Sequence, residues 1–135
     1  MKCVILIDEN LPLGLIANSA SVLSLSLGKK VDGIIGNDLK DINNRTHLGI
    51  TTMPIPILKS NKTQLKELRE KLFEDKFNKC IVVDFTNVAQ RAKTYDEYAK
   101  LLSRTSQDEL EYLGVAIYGP KKLVNKLVGS IGLLR

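Results

Sequence analysis

The sequence predicts a three-layer α/β/α sandwich, and three observations carry that prediction. Uninterrupted apolar runs of strand length recur along the chain, Cys3–Ile7 (CVILI) and Cys80–Phe85 (CIVVDF) above all. Such runs mark strands covered on both faces. Segments with helical apolar spacing and capping signals alternate with them. No repeat, low-complexity tract or Pro/Gly-rich linker divides the 135 residues, so residues 1–135 read as one domain. That length buries a core without disulfide or metal staples.

The elements follow in order. After the first strand, Leu11–Leu27 reads as a helix closed by Gly28, and its lack of charge predicts that it is mostly buried. Val31–Ile35 reads as a short second strand ended by Gly36-Asn37-Asp38, and Asp38–Thr46 as a polar loop. Met53–Leu58 has strand composition, but Pro54 and Pro56 cannot both donate to a ladder, which predicts a sheet edge. Asn61 caps the next helix, with Gln64 three residues on and Leu65, Leu68, Leu72 and Phe73 as its apolar stripe. Lys66, Glu67, Glu70, Lys71 and Glu74 form its solvated face. Cys80–Phe85 is a buried strand. Thr94-x-x-Glu97 opens a helix packed through Tyr95, Tyr98 and Leu102, and Ser106-x-x-Glu109 opens a short turn. Glu111–Tyr118 is the last strand. Gly119-Pro120 starts the last helix, which Gly129 stops.

Composition narrows the chemistry. With 20 Lys+Arg against 15 Asp+Glu, the formal charge is +5, a moderate bias toward polyanionic partners. One His and two Cys cannot build a tetrahedral N/S metal site, and a mechanism with two histidines is excluded. No Gly-rich phosphate loop or dinucleotide fingerprint is present, so no cofactor is implied. The N-terminus lacks the long apolar stretch of an export signal, and Asn10–Gly28 is too polar to span a bilayer. Cys3 and Cys80 fit buried, reduced thiols, so a soluble cytoplasmic protein without membrane partners is expected.

Near the C-terminus the residues resemble a known family. Tyr112-Leu113-Gly114-Val115-Ala116-Ile117-Tyr118-Gly119-Pro120, then Val124, Leu127, Gly129 and Leu133, resemble the final strand–helix of type II peptidyl-tRNA hydrolases. Over its whole length the chain resembles the "domain of unknown function two thousand" family, through Asp8-Glu9-Asn10-Leu11, Gly14, Asn18, Gly36-x-Asp38, Pro54-x-Pro56, Val83-Asp84-Phe85 and Leu134-Arg135. The resemblance implies a peptidyl-tRNA hydrolase II-like fold, a mixed sheet of four to five strands with helices on both faces, and a homodimer. The hydrolases carry a Lys near the start of their first helix and a Gln-Cys-x-His run within it. Here Gly14 stands where that Lys would be, and Asn18-Ser19-Ala20-Ser21 replaces the run. Asp84 matches the acidic residue after the third strand with a one-residue shift.

Several residues are candidates for a site. Gly14, Asn18 and Ser21 share one helical face, which either lines a cleft or lets the helix approach the sheet closely. Asp8 and Asp84, with Thr86 just beyond, end apolar strands, where open α/β sheets bind ligands. They either pair for acid–base work or cap the turns that follow. His47 is the only imidazole in the chain, the side-chain type sought first as a general base, with Asp38 and Asp41 near enough to orient it. From Leu113 to Arg135 there is no acid, and Lys121 and Lys122 crowd the positive end of a helix after Gly119. That arrangement suits a bound anion, or else a solvated lysine face.

Two functions stay open. One is a non-catalytic module binding tRNA or a phosphate-bearing small molecule through Asp8, Asn18, Ser21, Asp84, Thr86, Gly119, Lys121 and Lys122. The other is a hydrolase of an acyl ester such as peptidyl-tRNA, with Asp84 or His47 activating water. The missing Lys and His of the first helix favour the binding module.

Overall fold

A computed structural model describes residues 1–135. In its first strand, β1 (Lys2–Asp8), every residue from Cys3 onward is buried, as a strand covered on both faces requires. The chain continues through α1 (Leu13–Lys30), a small hairpin of β2 (Leu39–Lys40) and β3 (Thr46–His47), β4 (Ile57–Ser60) and α2 (Lys62–Leu72). It ends with β5 (Ile81–Thr86), α3 (Asn87–Arg91), α4 (Tyr95–Ser103), β6 (Tyr112–Gly119) and α5 (Lys121–Val128). The main sheet has four strands in the order β4-β1-β6-β5. It is mixed: β4 runs parallel to β1, whereas β6 is antiparallel to both β1 and β5.

Alternation along the strands divides the core in two. Val4, Leu6, Val115 and Ile117 face α2 and α5, meeting Leu65, Leu68, Val124 and Val128. Cys3, Ile5, Ile7 and Ala116 face the other way, toward Leu23 and Leu27 of α1. The helix comes close because Gly114 has no side chain: a Cβ there would lie 2.7 Å from Ile7 Cδ1 and 2.9 Å from Leu23 Cδ1. No helix is long and apolar enough to cross a membrane.

Capping signals locate helices well. Asn61 accepts from the Gln64 amide at 2.9 Å, and Thr94 from the Glu97 amide at 3.1 Å, each starting its helix. Other expectations fail for identifiable reasons. The first helix is not mostly buried: only Ser19, Leu23 and Leu27 are, one ridge at helical spacing, because a single helix on a sheet buries one stripe. Gly28 does not stop it, since the helix runs on to Lys30. Val31–Ile35 is no strand; Ile35 makes one isolated bridge to Thr51. The expected loop contains the β2–β3 hairpin, with Asn44 at its tip in the left-handed region, φ 62°. Phe73 leaves the α2 stripe and is exposed. The strand at Ile81–Thr86 is half-buried rather than enclosed, because it lies at the sheet edge. α4 buries none of its residues fully.

The two edges differ. Along β4 the C-terminal tail adds a partner, with Lys59 N–H donating to Gly132 O at 3.0 Å and Leu134 N–H to Ile57 O at 2.9 Å. β5 pairs with β6 alone and has no strand on its other side.

Candidate functional site

Beside β5 the fold leaves a cleft of about 440 Å³. Its walls are largely apolar: Val22 from α1, Val83 and Phe85 from β5, and Ala89 and Ala92 from the α3–α4 segment. Asp84, Tyr98 and the rim residue Lys93 supply its polar chemistry. The mixture has a local cause. Along β5, Val83 and Phe85 turn toward α1, so Asp84 between them turns toward α2. There its Oδ2 accepts from Arg69 Nε at 2.7 Å, with both side chains largely shielded from water. The guanidinium also lies over the Phe73 ring, 3.7 Å from its centroid, which explains why that exposed aromatic sits outside the core.

Two phenols surround this ion pair. Burial, then the Asp84 charge, then Tyr95, push the Tyr98 hydroxyl above its ordinary range. Burial, followed by Asp84, does the same for Tyr112. Both remain neutral hydrogen-bond donors at physiological pH. Tyr98 meets Tyr95 edge to face, centroids 5.7 Å apart. Lys93 is exposed and engaged in no ion pair, leaving its ammonium available at the rim. The cleft therefore combines an apolar body, neutral donors, the Asp84 carboxylate paired with Arg69, and the Lys93 cation, and no imidazole or thiol lines it.

The other sequence candidates scatter. β1 and β5 are parallel, but β6 separates them, so Asp8 and Asp84 stand two strand spacings apart and are staggered along the strands as well. Asp8 is buried, and its Oδ1 accepts from the Asn10 amide at 3.0 Å, building the turn into α1. Thr86 is also buried; its hydroxyl caps α3 by accepting from Ala89 N–H at 3.3 Å. Gly14, Asn18 and Ser21 lie on the exposed side of α1, neither lining this cleft nor meeting the sheet. Ser21 donates to Ala17 O at 2.9 Å. His47 lies on the β2–β3 hairpin, where its Nε2 meets Asp41 Oδ2 at 2.8 Å. That bond comes first in holding the Asp41 carboxyl below its usual range, aided by the backbone amides of Arg45 and Asn43. Asp41 thus orients His47 as the spacing suggested, whereas Asp38 accepts from Gly49 N–H instead.

Gly119 pairs with Lys2, at the end of the sheet opposite Asp8 and Ser60. Its missing side chain makes room for Cys80, whose Sγ would lie 2.6 Å from a Cβ. Lys121 and Lys122 follow at that same end, exposed and remote from the carboxyl ends of β1, β4 and β5. The expectation of one site uniting them with Asp8 and Asp84 fails on strand direction alone. Arg69 is the residue that sequence reading missed. It stands at the fourth position of the Leu65, Leu68, Leu72 stripe, and a cation inside an apolar stripe signals a shielded acid.

Comparison with known proteins bears on this arrangement. A family described as "Protein of unknown function (DUF2000)" matches residues 1–135. The chain belongs to that family. Its fold is also found in a solved structure of a protein of unknown function from Agrobacterium tumefaciens, with a TM-score of 0.86 at 16% identity. The alignment covers 98% of this chain and 96% of that one. Comparison with curated proteins finds no match.

Proposed function

We propose that this family member is a binding module whose cleft beside β5 takes a small organic molecule with an apolar body and an anionic head, phosphate or carboxylate. The lining of the cleft carries the reading: apolar walls for the body, the Tyr98 phenol as donor, and unpaired Lys93 at the rim for the charge. A long polyanion such as tRNA is less well supported, because Lys121 and Lys122 lie at the other end of the sheet. The relationship to type II peptidyl-tRNA hydrolases is part of the proposal as a scaffold, with Gly14 and Ser21 at the positions of that family's Lys and His.

Acyl-ester hydrolysis has weaker support. Arg69 occupies one oxygen of Asp84, and His47 belongs to a separate hairpin with its own carboxylate. A general base must reach the water it activates, and these two candidates share no cavity. Anilinonaphthalene sulfonate, an apolar ring system with an anionic head, tests the reading by fluorescence titration. Saturable one-to-one binding is expected, weakened at least about tenfold by Ala92→Trp and less by Lys93→Glu. Binding unchanged in both variants overturns the assignment of the cleft. Turnover of a model peptidyl-tRNA that disappears in Asp84→Asn would favour the hydrolase instead.

A further inference from the structure

The sheet has one closed edge and one open edge. β4 is bonded to the C-terminal tail at Ile57 and Lys59, and Pro54 and Pro56 precede it. β5 carries neither proline nor lysine, and its one charge, Asp84, is spent on Arg69. The register shows which of its groups stand open. Ile5 N–H donates to Pro56 O and Glu9 N–H to Ser60 O, so the odd positions of β1 turn their main-chain groups toward β4. The even residues Val4 and Leu6 therefore bond Ile117 and Val115 of β6. Ala116 and Gly114 are left to bond Val83 and Phe85 of β5. Val82 and Asp84 thus point their N–H and C=O groups away from the sheet, about 7 Å apart along its edge.

We propose that this edge receives the carboxyl-terminal end of a peptide, added beside β5 as a further strand. The proposal rests on the reading of the cleft given above and names its ligand. The cleft follows the same edge: Val83 and Phe85 line it from one face of β5, and Asp84 from the other. An extended peptide supplies, at strand spacing, the alternating donors and acceptors that Val82 and Asp84 call for. An apolar last side chain fills the space between Val22, Val83, Phe85, Ala89 and Ala92. Lys93 at the rim then meets the terminal carboxylate. Glu97 accepts from the Lys93 backbone N–H at 3.2 Å but forms no ion pair with its ammonium. One unpaired cation matches the single charge of a carboxylate better than the nearly double charge of a phosphate.

Fluorescein-labelled hexapeptides of threonine and serine, ending in leucine, isoleucine, valine or phenylalanine, serve as probes. At least one is expected to bind saturably by fluorescence anisotropy, and its C-terminal amide at least about tenfold more weakly. Lys93→Glu should weaken the acid form by a similar factor and leave the amide form unchanged. N-methylation of one set of alternate peptide residues should abolish binding, and of the other set should not. Hydrogen exchange read by NMR locates the contact. In the free protein the Val82 and Asp84 amides should exchange fast while those of Val83 and Phe85 are protected, and saturating peptide should protect all four. Equal binding of acid and amide forms, or Val82 and Asp84 amides still unprotected at saturation, overturns the proposal. So does protection of both in the free protein, whether two copies pair there or another segment covers them. Failure of every peptide below about 1 mM overturns it as well. If anilinonaphthalene sulfonate binds while every peptide fails, the cleft reading stands and only the peptide is removed.

Discussion

Two carboxylates of this protein each hold an arginine, and they do so in opposite ways. Asp41 meets Arg45 and His47 within six residues, on an exposed hairpin, and accepts two backbone amides as well. Asp84 meets Arg69 from another element, fifteen residues away, with Arg69 packed on Phe73 and two phenols alongside. The first cluster is short-range chemistry that shapes a turn. The second ties an edge strand to a helix where water is largely excluded, so its loss reaches the whole fold and the cleft together.

The largest effect should follow Asp84→Ala. It strands Arg69, whose side chain is only 12% exposed, and should cost about 2–3 kcal/mol in urea denaturation. Arg69→Met in that background should recover part of the loss, since it removes the unpaired charge and keeps the packed stem. An alkaline transition should come next. Because the folded hydroxyls of Tyr98 and Tyr112 sit above the ordinary tyrosine range, the unfolded chain ionises first as pH rises. Their contribution is full below about pH 10 and is lost as pH climbs through the folded values. Stability measured across that window should fall less steeply in Tyr98→Phe.

Smaller effects sharpen the contrast. Phe73→Ala removes the ring under Arg69 and should cost about 0.5–1 kcal/mol. Asp41→Ala should leave the urea midpoint unmoved while the amides of Asn43 and Arg45 lose their protection from hydrogen exchange. Because the folded Asp41 value is lowered, its support of the hairpin is present above the ordinary aspartate range and lost as pH falls through the depressed value. Amide shifts of Asn43 and Arg45 between pH 5 and about pH 2 would record that loss. A global unfolding at Asp41→Ala would erase the distinction between the two clusters.

Legibility in the sequence follows the same division between short and long range. Asn61 and Thr94 announce their helices because a cap and its amide lie three residues apart. The long apolar runs give the strands, since burial on both faces writes itself into composition. What fails depends on distant partners. Nothing local tells that Ile81–Thr86 is an edge, that Gly119 faces Cys80, or that β6 separates Asp8 from Asp84. The uncharged first helix misleads because absence of charge is equally the mark of burial and of a face that remains apolar in the open. Arg69 was legible, as a cation in an apolar stripe, but its partner was not.

The place of β1 has a consequence for how the protein is made. Residues Lys2–Asp8 are made before both strands that flank them, Ile57–Ser60 and Tyr112–Gly119. Their antiparallel partner is more than a hundred residues away, and the tail that closes the β4 edge comes later still. The central pairing of the sheet cannot form before β6 is made. Completing the sheet must await synthesis of Tyr112–Gly119, and closing so long a loop makes that step slow for a domain of this size. Until then the most apolar strand of the protein has only the short β4 beside it, which makes nascent chains its most aggregation-prone form.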